Sequence, residues 1–317
     1  MVRRLLSIAF LLPALAAKRA QVGGQAVIEG VMMRGVDWWS LAVRRPDDTI
    51  GVHEYPLTSL MKKYPVLKLP VLRGMIALFE SLVIGIRALT QSANESLGED
   101  EGELGKKEIA VTLIIAFAFA IGLFFVAPLF LTVLLDHWLR EGFLFWLVEG
   151  FVRVGIFLVY LVVVTQLKDL RRVFEYHGAE HMSIHALEHG EELTVANVEK
   201  YRTLHLRCGT SFLLIVLVVS IFVFAAVGRP DWYLLVLSRI VLVPLIAGIS
   251  YEIIRFAGRH EGSRVVRVVM APGLGLQWLT TKQPDSAQVE VAIAALEKII
   301  ELEPQDRPPV KGVEVMA

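Results

Sequence analysis

The sequence predicts a mainly α, polytopic membrane protein. About four transmembrane helices pair into two hairpins, and a small α/β portion lies on the cytoplasmic side. Three observations predict it. First, 55% of the 317 residues are hydrophobic and only 20% are charged, whereas a soluble domain is roughly a quarter charged. Second, the apolar residues fall in a few long blocks rather than evenly. Third, 28 of the 32 Lys and Arg residues lie outside those blocks and the short loops that pair them.

A spanning helix needs about 20 mostly apolar residues. Residues 109–135 form an uncharged block of 27. Residues 143–167 make a block of 25, interrupted by Glu149 and Arg153. Residues 211–228 are uncharged, and 232–250 carry only Arg239. Short loops, 136–142 and 229–231, pair these blocks into two hairpins, and residues 168–210 form a polar loop between them. The two short loops hold only Arg140 and Arg229. Basic residues stay on the cytoplasmic side, so both termini and the central loop should be cytoplasmic. Glu149 and Arg153, four apart, can pair within the bilayer, where an isolated charge is costly.

Outside the spans, Arg3 and Arg4 followed by an apolar run to Ala17 look like a secretory signal. Cleavage would export residues 18–108 against the charge rule, so 1–20 reads as a short membrane-associated extension. Alternation at Leu41, Val43, Ile50 and Val52 around Pro46-Asp47-Asp48 suits a small hairpin. Residues 69–90 look helical, with Arg73, Glu80 and Arg87 recurring along one face. That pattern fits an interfacial helix on the membrane or the bundle, which completes an N-terminal region of 21–108. The stretch after Ser250 reads as polar and basic. Further on, Asp285 and Gln288 can form a capping box for a short amphipathic helix, within a C-terminal region of 251–303. Residues 304–317 read as a flexible tail.

The net charge is zero, with 32 basic and 32 acidic residues, which excludes nucleic-acid binding driven by bulk charge. The single cysteine, Cys208, excludes an intrachain disulfide.

The chemistry concentrates in the central loop. His177, His181, His185 and His189 are four of the eight histidines and recur every four residues. On a helix they form one stripe. Two imidazoles a turn apart can bind one divalent ion such as zinc. Glu180 can then act as a base toward water at the ion. The string His177-x-x-Glu180-His181 also matches an inverted zinc-peptidase pattern, although Gly178 should weaken the helix at its centre. His205 and Cys208, just before the third span, add nitrogen and sulfur candidates. Glu252, at the expected close of the fourth span, is a carboxylate candidate or a partner for Arg255. The bland reading is a juxtamembrane helix whose histidines make packing and hydrogen-bond contacts.

Several of these strings resemble one family. They are Gly23 to Gly35 (GGQAVIEGVMMRG), Leu72-Arg73-Gly74, Ser81-Leu82, Tyr176 to His181 (YHGAEH), His205-x-Arg207-Cys208-Gly209-Thr210, Gly248 to Glu252 (GISYE), and Pro272-Gly273-Leu274 with Thr280-Thr281-Lys282. Together they resemble the uncharacterised bacterial membrane family DUF1385 over residues 21–300. The first twenty residues lie outside the resemblance. So does a Lys-Thr pair usual after the Glu-His, where Met182-Ser183 stand here. The resemblance implies a bacterial cell-membrane protein of a family described as metal-dependent enzymes. It also implies a gene neighbourhood linked to translation. Two functions therefore compete. One is a metal site at the cytoplasmic face, with His177, His181, His205, Cys208 and Glu252 as ligands and Glu180 as base in a metal-dependent hydrolase. The other is a non-catalytic scaffold or accessory factor that docks a cytoplasmic protein partner in translation or membrane-protein biogenesis.

Overall fold

The computed structural model describes residues 22–97, 105–135, 143–205, 208–228, 232–260 and 263–303. The extension, the tail, the two short inter-span loops and the side chain of Arg239 lie outside the described residues.

The N-terminal region folds as a four-stranded antiparallel meander: β1 (Gly23–Val27), β2 (Gly30–Arg34), β3 (Trp38–Arg44) and β4 (Ile50–Pro56). The predicted hairpin around Pro46-Asp47-Asp48 is β3–β4, in which Ala42 faces Val52. A second hairpin, β1–β2, precedes it, turning at Ile28-Glu29 with Glu29 at φ 50°. Its strands escape a period-two reading because all five residues of β2 are buried. A strand covered on both faces shows no alternation. Gly30 is needed in β2, because a methyl there would meet the Ala42 backbone carbonyl.

The helices that follow are α1 (Leu72–Ser96), α2 (Lys106–Leu134), α3 (Phe143–Val164), α4 (Lys168–Glu188), α5 (Gly209–Val227), α6 (Trp232–Arg259), α7 (Arg264–Thr280) and α8 (Ser286–Leu302). Four of them are long and apolar enough to cross a membrane: α2, α3, α5 and the Val241–Arg259 part of α6. α2 widens into a π turn at Gly122–Val126, just before Pro128. Proline lacks the N–H that would continue the ladder, and its ring crowds the preceding turn. In α3, Glu149 and Arg153 form the buried ion pair their spacing suggested, and Arg153 also donates to Ser220 Oγ at 3.0 Å.

The polar connection between the hairpins opens with the 21-residue helix α4, which carries the histidine stripe. Two expectations need revision. The fourth apolar helix runs unbroken to Arg259, so Tyr251-Glu252 lies within it rather than at its close. The stretch after 260 is helix α7, with Pro272 inside it.

The sheet is the middle layer of a polar domain. One face, with Val31, Met33 and Ala42, packs on α4 and α8 around Tyr176, Met182, Val289 and Leu296. The opposite face, with Met32, Leu41 and Val43, packs on Ile84 and Ala88 of α1. The other half of α1 leans on α6, where a methyl at Gly74 would lie 2.7 Å from Tyr251 Cβ. Two of the three spaced charges of α1 form links, while Arg87 is exposed. Glu80 binds Arg34 of β2 at 3.1 Å, and Arg73 pairs with Glu252 of α6. The predicted capping box starts α8, with Gln288 N–H donating to Asp285 at 2.7 Å. α4 itself packs on the sheet and on α8.

Candidate metal centre

α4 carries His177 and His181 one turn apart. A ligand atom from each lies within 4.8 Å of the other and of Cys208 Sγ. His177 Nδ1 bonds the Thr280 carbonyl at 2.8 Å, and His181 Nδ1 bonds the Thr203 carbonyl at 2.5 Å. A carbonyl only accepts, so each Nδ1 is the donor, and Nε2 is the ring atom left for ligation. His177 Nε2 stands 3.3 Å from Cys208 Sγ. His181 Nε2 is fully buried with no hydrogen-bond partner among the described residues. Backbone carbonyls on Nδ1 commonly orient histidines that ligate through Nε2.

The carbonyls are themselves positioned. Gln277 of α7 accepts from the His205 N–H at 2.8 Å and donates to the His205 carbonyl at 2.7 Å, clamping the segment that carries Thr203. Thr280 ends α7. The chain after it crosses α4 closely enough that Lys282 N–H donates to the Phe174 carbonyl at 2.9 Å. A methyl at Gly178 would run into the Lys282 carbonyl. The glycine therefore does not break the helix; it admits the segment that follows Thr280, the His177 partner. Cys208 caps α5, and its Sγ accepts from the Thr210 N–H at 3.3 Å.

Electrostatics suit ligation. Burial lowers His181 to about 4, so it is neutral at neutral pH, with the Cys208 thiol beside it opposing the shift. Burial alone pushes the Cys208 thiol up, but His181 and Thr210 outweigh it and hold it below its ordinary value. Glu180, on the next face of α4, is fully buried, and neither carboxylate oxygen has a hydrogen-bond partner among the described residues. Burial raises it to about 8; the neighbouring His177 lowers it, Cys208 raises it, and the Gly24 amide counters only weakly. Gly24 belongs to this pocket, since a methyl there would come within 2.6 Å of Glu180 Cγ.

The other candidates separate. His205 joins His185 and Glu188 in an adjoining group, with its Nε2 3.4 Å from Glu188. Its ring centroid is 5.6 Å from that of His181. Glu252 belongs to neither group and is held by Arg73 and by the Val71 N–H at 3.3 Å. Arg73 belongs to α1 and Val71 immediately precedes it, so Glu252 faces α1 rather than α4. Sequence reasoning missed Gln277, Thr203 and Thr280, which act through backbone contacts that no spacing announces. Gly24 and Thr280 did lie in the strings singled out above.

The described residues thus define a class: a mainly helical protein with four helices apt to span a membrane and a buried His-Cys-Glu cluster beside them. Within that class the chain belongs to the family described as "Protein of unknown function (DUF1385)", whose pattern matches residues 69–302. It is similar to the "Uncharacterized protein YqhQ" of Bacillus subtilis (strain 168), with 33% identity over 294 residues, 89% of this chain and 92% of that protein. No solved structure matches.

Proposed function

We propose that the protein holds a divalent metal, best matched by zinc, at the cytoplasmic face of a bacterial membrane and uses it for hydrolysis. One observation carries this reading: His177, His181 and Cys208 present ligand atoms within 4.8 Å of one another, with both imidazole Nδ1 atoms bound to backbone carbonyls. The group fits the ion. Zinc takes sulfur at about 2.3 Å and imidazole nitrogen at about 2.0 Å. A tetrahedral angle between such ligands separates them by roughly 3.5 Å, against 3.3 Å between Cys208 Sγ and His177 Nε2. Nitrogen with sulfur is also the donor set that favours zinc over harder cations.

When bound, such an ion supplies Lewis acidity toward a carbonyl or phosphoryl group and lowers the pKa of a water. Three protein ligands leave a tetrahedral site one position open. Glu180 supplies the base. Its carboxyl sits close enough to feel both His177 and Cys208, and it ligates in neither group. Burial keeps the proton on it in the metal-free chain; a dication nearby favours the carboxylate. Gly24 holds that carboxyl in place by leaving it room. The cytoplasmic orientation rests on the distribution of basic residues.

The test compares two variants at matched expression, measuring bound metal together with rescue of a bacterial strain lacking its own copy. Glu180→Gln should keep the metal and lose rescue, whereas His181→Ala should lose both. A Glu180→Gln protein that rescues fully removes Glu180 as a base and favours the scaffold role.

A further inference from the structure

Beside this site lies a surface that no other described residue covers. α7 buries Met270, Leu276 and Gln277 at 3%, 5% and 0% exposure. On its other side Val265, Val268, Val269 and Trp278 are 72%, 73%, 64% and 71% exposed. In water such a face would be a large apolar patch. What it packs against gives its level. Met270 clusters with Phe212 and Ile254, and Leu276 clusters with Phe157 and Leu161. Those partners lie inside the candidate spans Gly209–Val227, Val241–Arg259 and Phe143–Val164. Gly273 crosses α5 at Ser211, where a methyl would come within 2.9 Å of Ser211 Cβ. α7 therefore lies across the first turns of α5. Leu213 of α5 and Val163 of α3 are exposed apolar residues on the spans themselves.

We propose that α7 lies in the membrane interface, with this face seated among acyl chains of the leaflet on the side of the His-Cys cluster. Two further features match that occupant. Residues 263–282 contain Arg264, Arg267 and Lys282 and no Asp or Glu, which complements anionic headgroups. Trp278 fits the interfacial depth, where tryptophan is enriched. The last turn of α7 provides the Thr280 carbonyl to His177 and Gln277 to the His205 segment. Lipid thus seats the helix that orients the cluster. This seating is independent of whether a metal binds.

The experiment uses the full chain in vesicles containing phosphatidylglycerol, spin-labelled at Val268→Cys or Val269→Cys. Cys208 is buried, so label uptake by the unmodified chain sets the background. Collision with oxygen and with a water-soluble nickel chelate is compared with Val159→Cys in α3 and Glu191→Cys on an exposed turn. Both sites on α7 should favour oxygen as the α3 site does. Chelate access like that at residue 191 would overturn the proposal. So would exclusion of both probes, which marks cover by protein. A second measurement needs no introduced cysteine: brominated lipids should quench part of the tryptophan emission of the natural chain, and Trp278→Phe should lose that part. Equal quenching in the two proteins would contradict the seating.

Discussion

Gly178→Ala sets two physical effects against each other. Helix propensity alone favours the alanine by about 1 kcal/mol in a helix interior. Against it stands the Lys282 carbonyl, which occupies the space of the new methyl, with the Lys282 carbonyl carbon and Thr203 Cγ2 both at 3.2 Å. The obstacle is backbone, so no side chain can swing away. Lys282 would have to retreat from α4, breaking its 2.9 Å bond to the Phe174 carbonyl and loosening the 2.8 Å bond from His177 to Thr280 two residues earlier. Each such bond contributes about 1 kcal/mol net, and overpacking costs a further 1–3 kcal/mol or so. The clash wins, and the net destabilisation should be about 2–4 kcal/mol. Thermal unfolding of the detergent-solubilised protein measures it. Metal retention should fall as well, because the imidazole loses its orienting partner. A Gly178→Ala protein as stable as the natural one, or more so, would refute the reasoning and restore the view that this glycine only weakens a helix.

Glu252→Gln should leave bound metal unchanged and loosen α1 from α6 by about 1 kcal/mol, as expected for a partly exposed ion pair; loss of metal in this variant would return Glu252 to the ligand set. The metal-free protein should lose stability as pH rises from 6.5 to 8. In that range the folded chain holds a proton on Glu180, raised to about 8, that the unfolded chain has released near its ordinary 4.5. The slope is at most about 1.4 kcal/mol per pH unit, and it should vanish in Glu180→Gln, so parallel curves for the two proteins would contradict the raised pKa. Below pH 6.5 the neutral His181, lowered to about 4, gives a slope of opposite sign.

The apolar spans were legible because bilayer length and the cost of charge in lipid leave a direct mark on composition. The His177–His181 spacing was equally plain, since helical period alone puts the two side chains on one face. Cys208 could be proposed for its chemistry, but its convergence with them depends on where α5 begins beside α4, a tertiary fact. Glu252 misled because an apolar block ending at Ser250 looks like the end of a span, while the helix continues to Arg259. β2 was hidden because burial on both faces erases alternation. Gln277 and Gly24 act through a backbone clamp and an absence of side chain, and neither leaves a periodic trace.

The proposed metal would be held by His177 and His181 of α4 and by Cys208 at the cap of α5, and elemental analysis of the purified protein detects it. The natural chain, extracted from cell membranes without added chelator, should carry about one zinc per chain, the occupancy of a single site with these three ligands. Cys208→Ser and His181→Ala should each lose most of it while remaining folded by circular dichroism. A natural protein that is folded, carries no transition metal and takes up none on zinc addition would contradict the account.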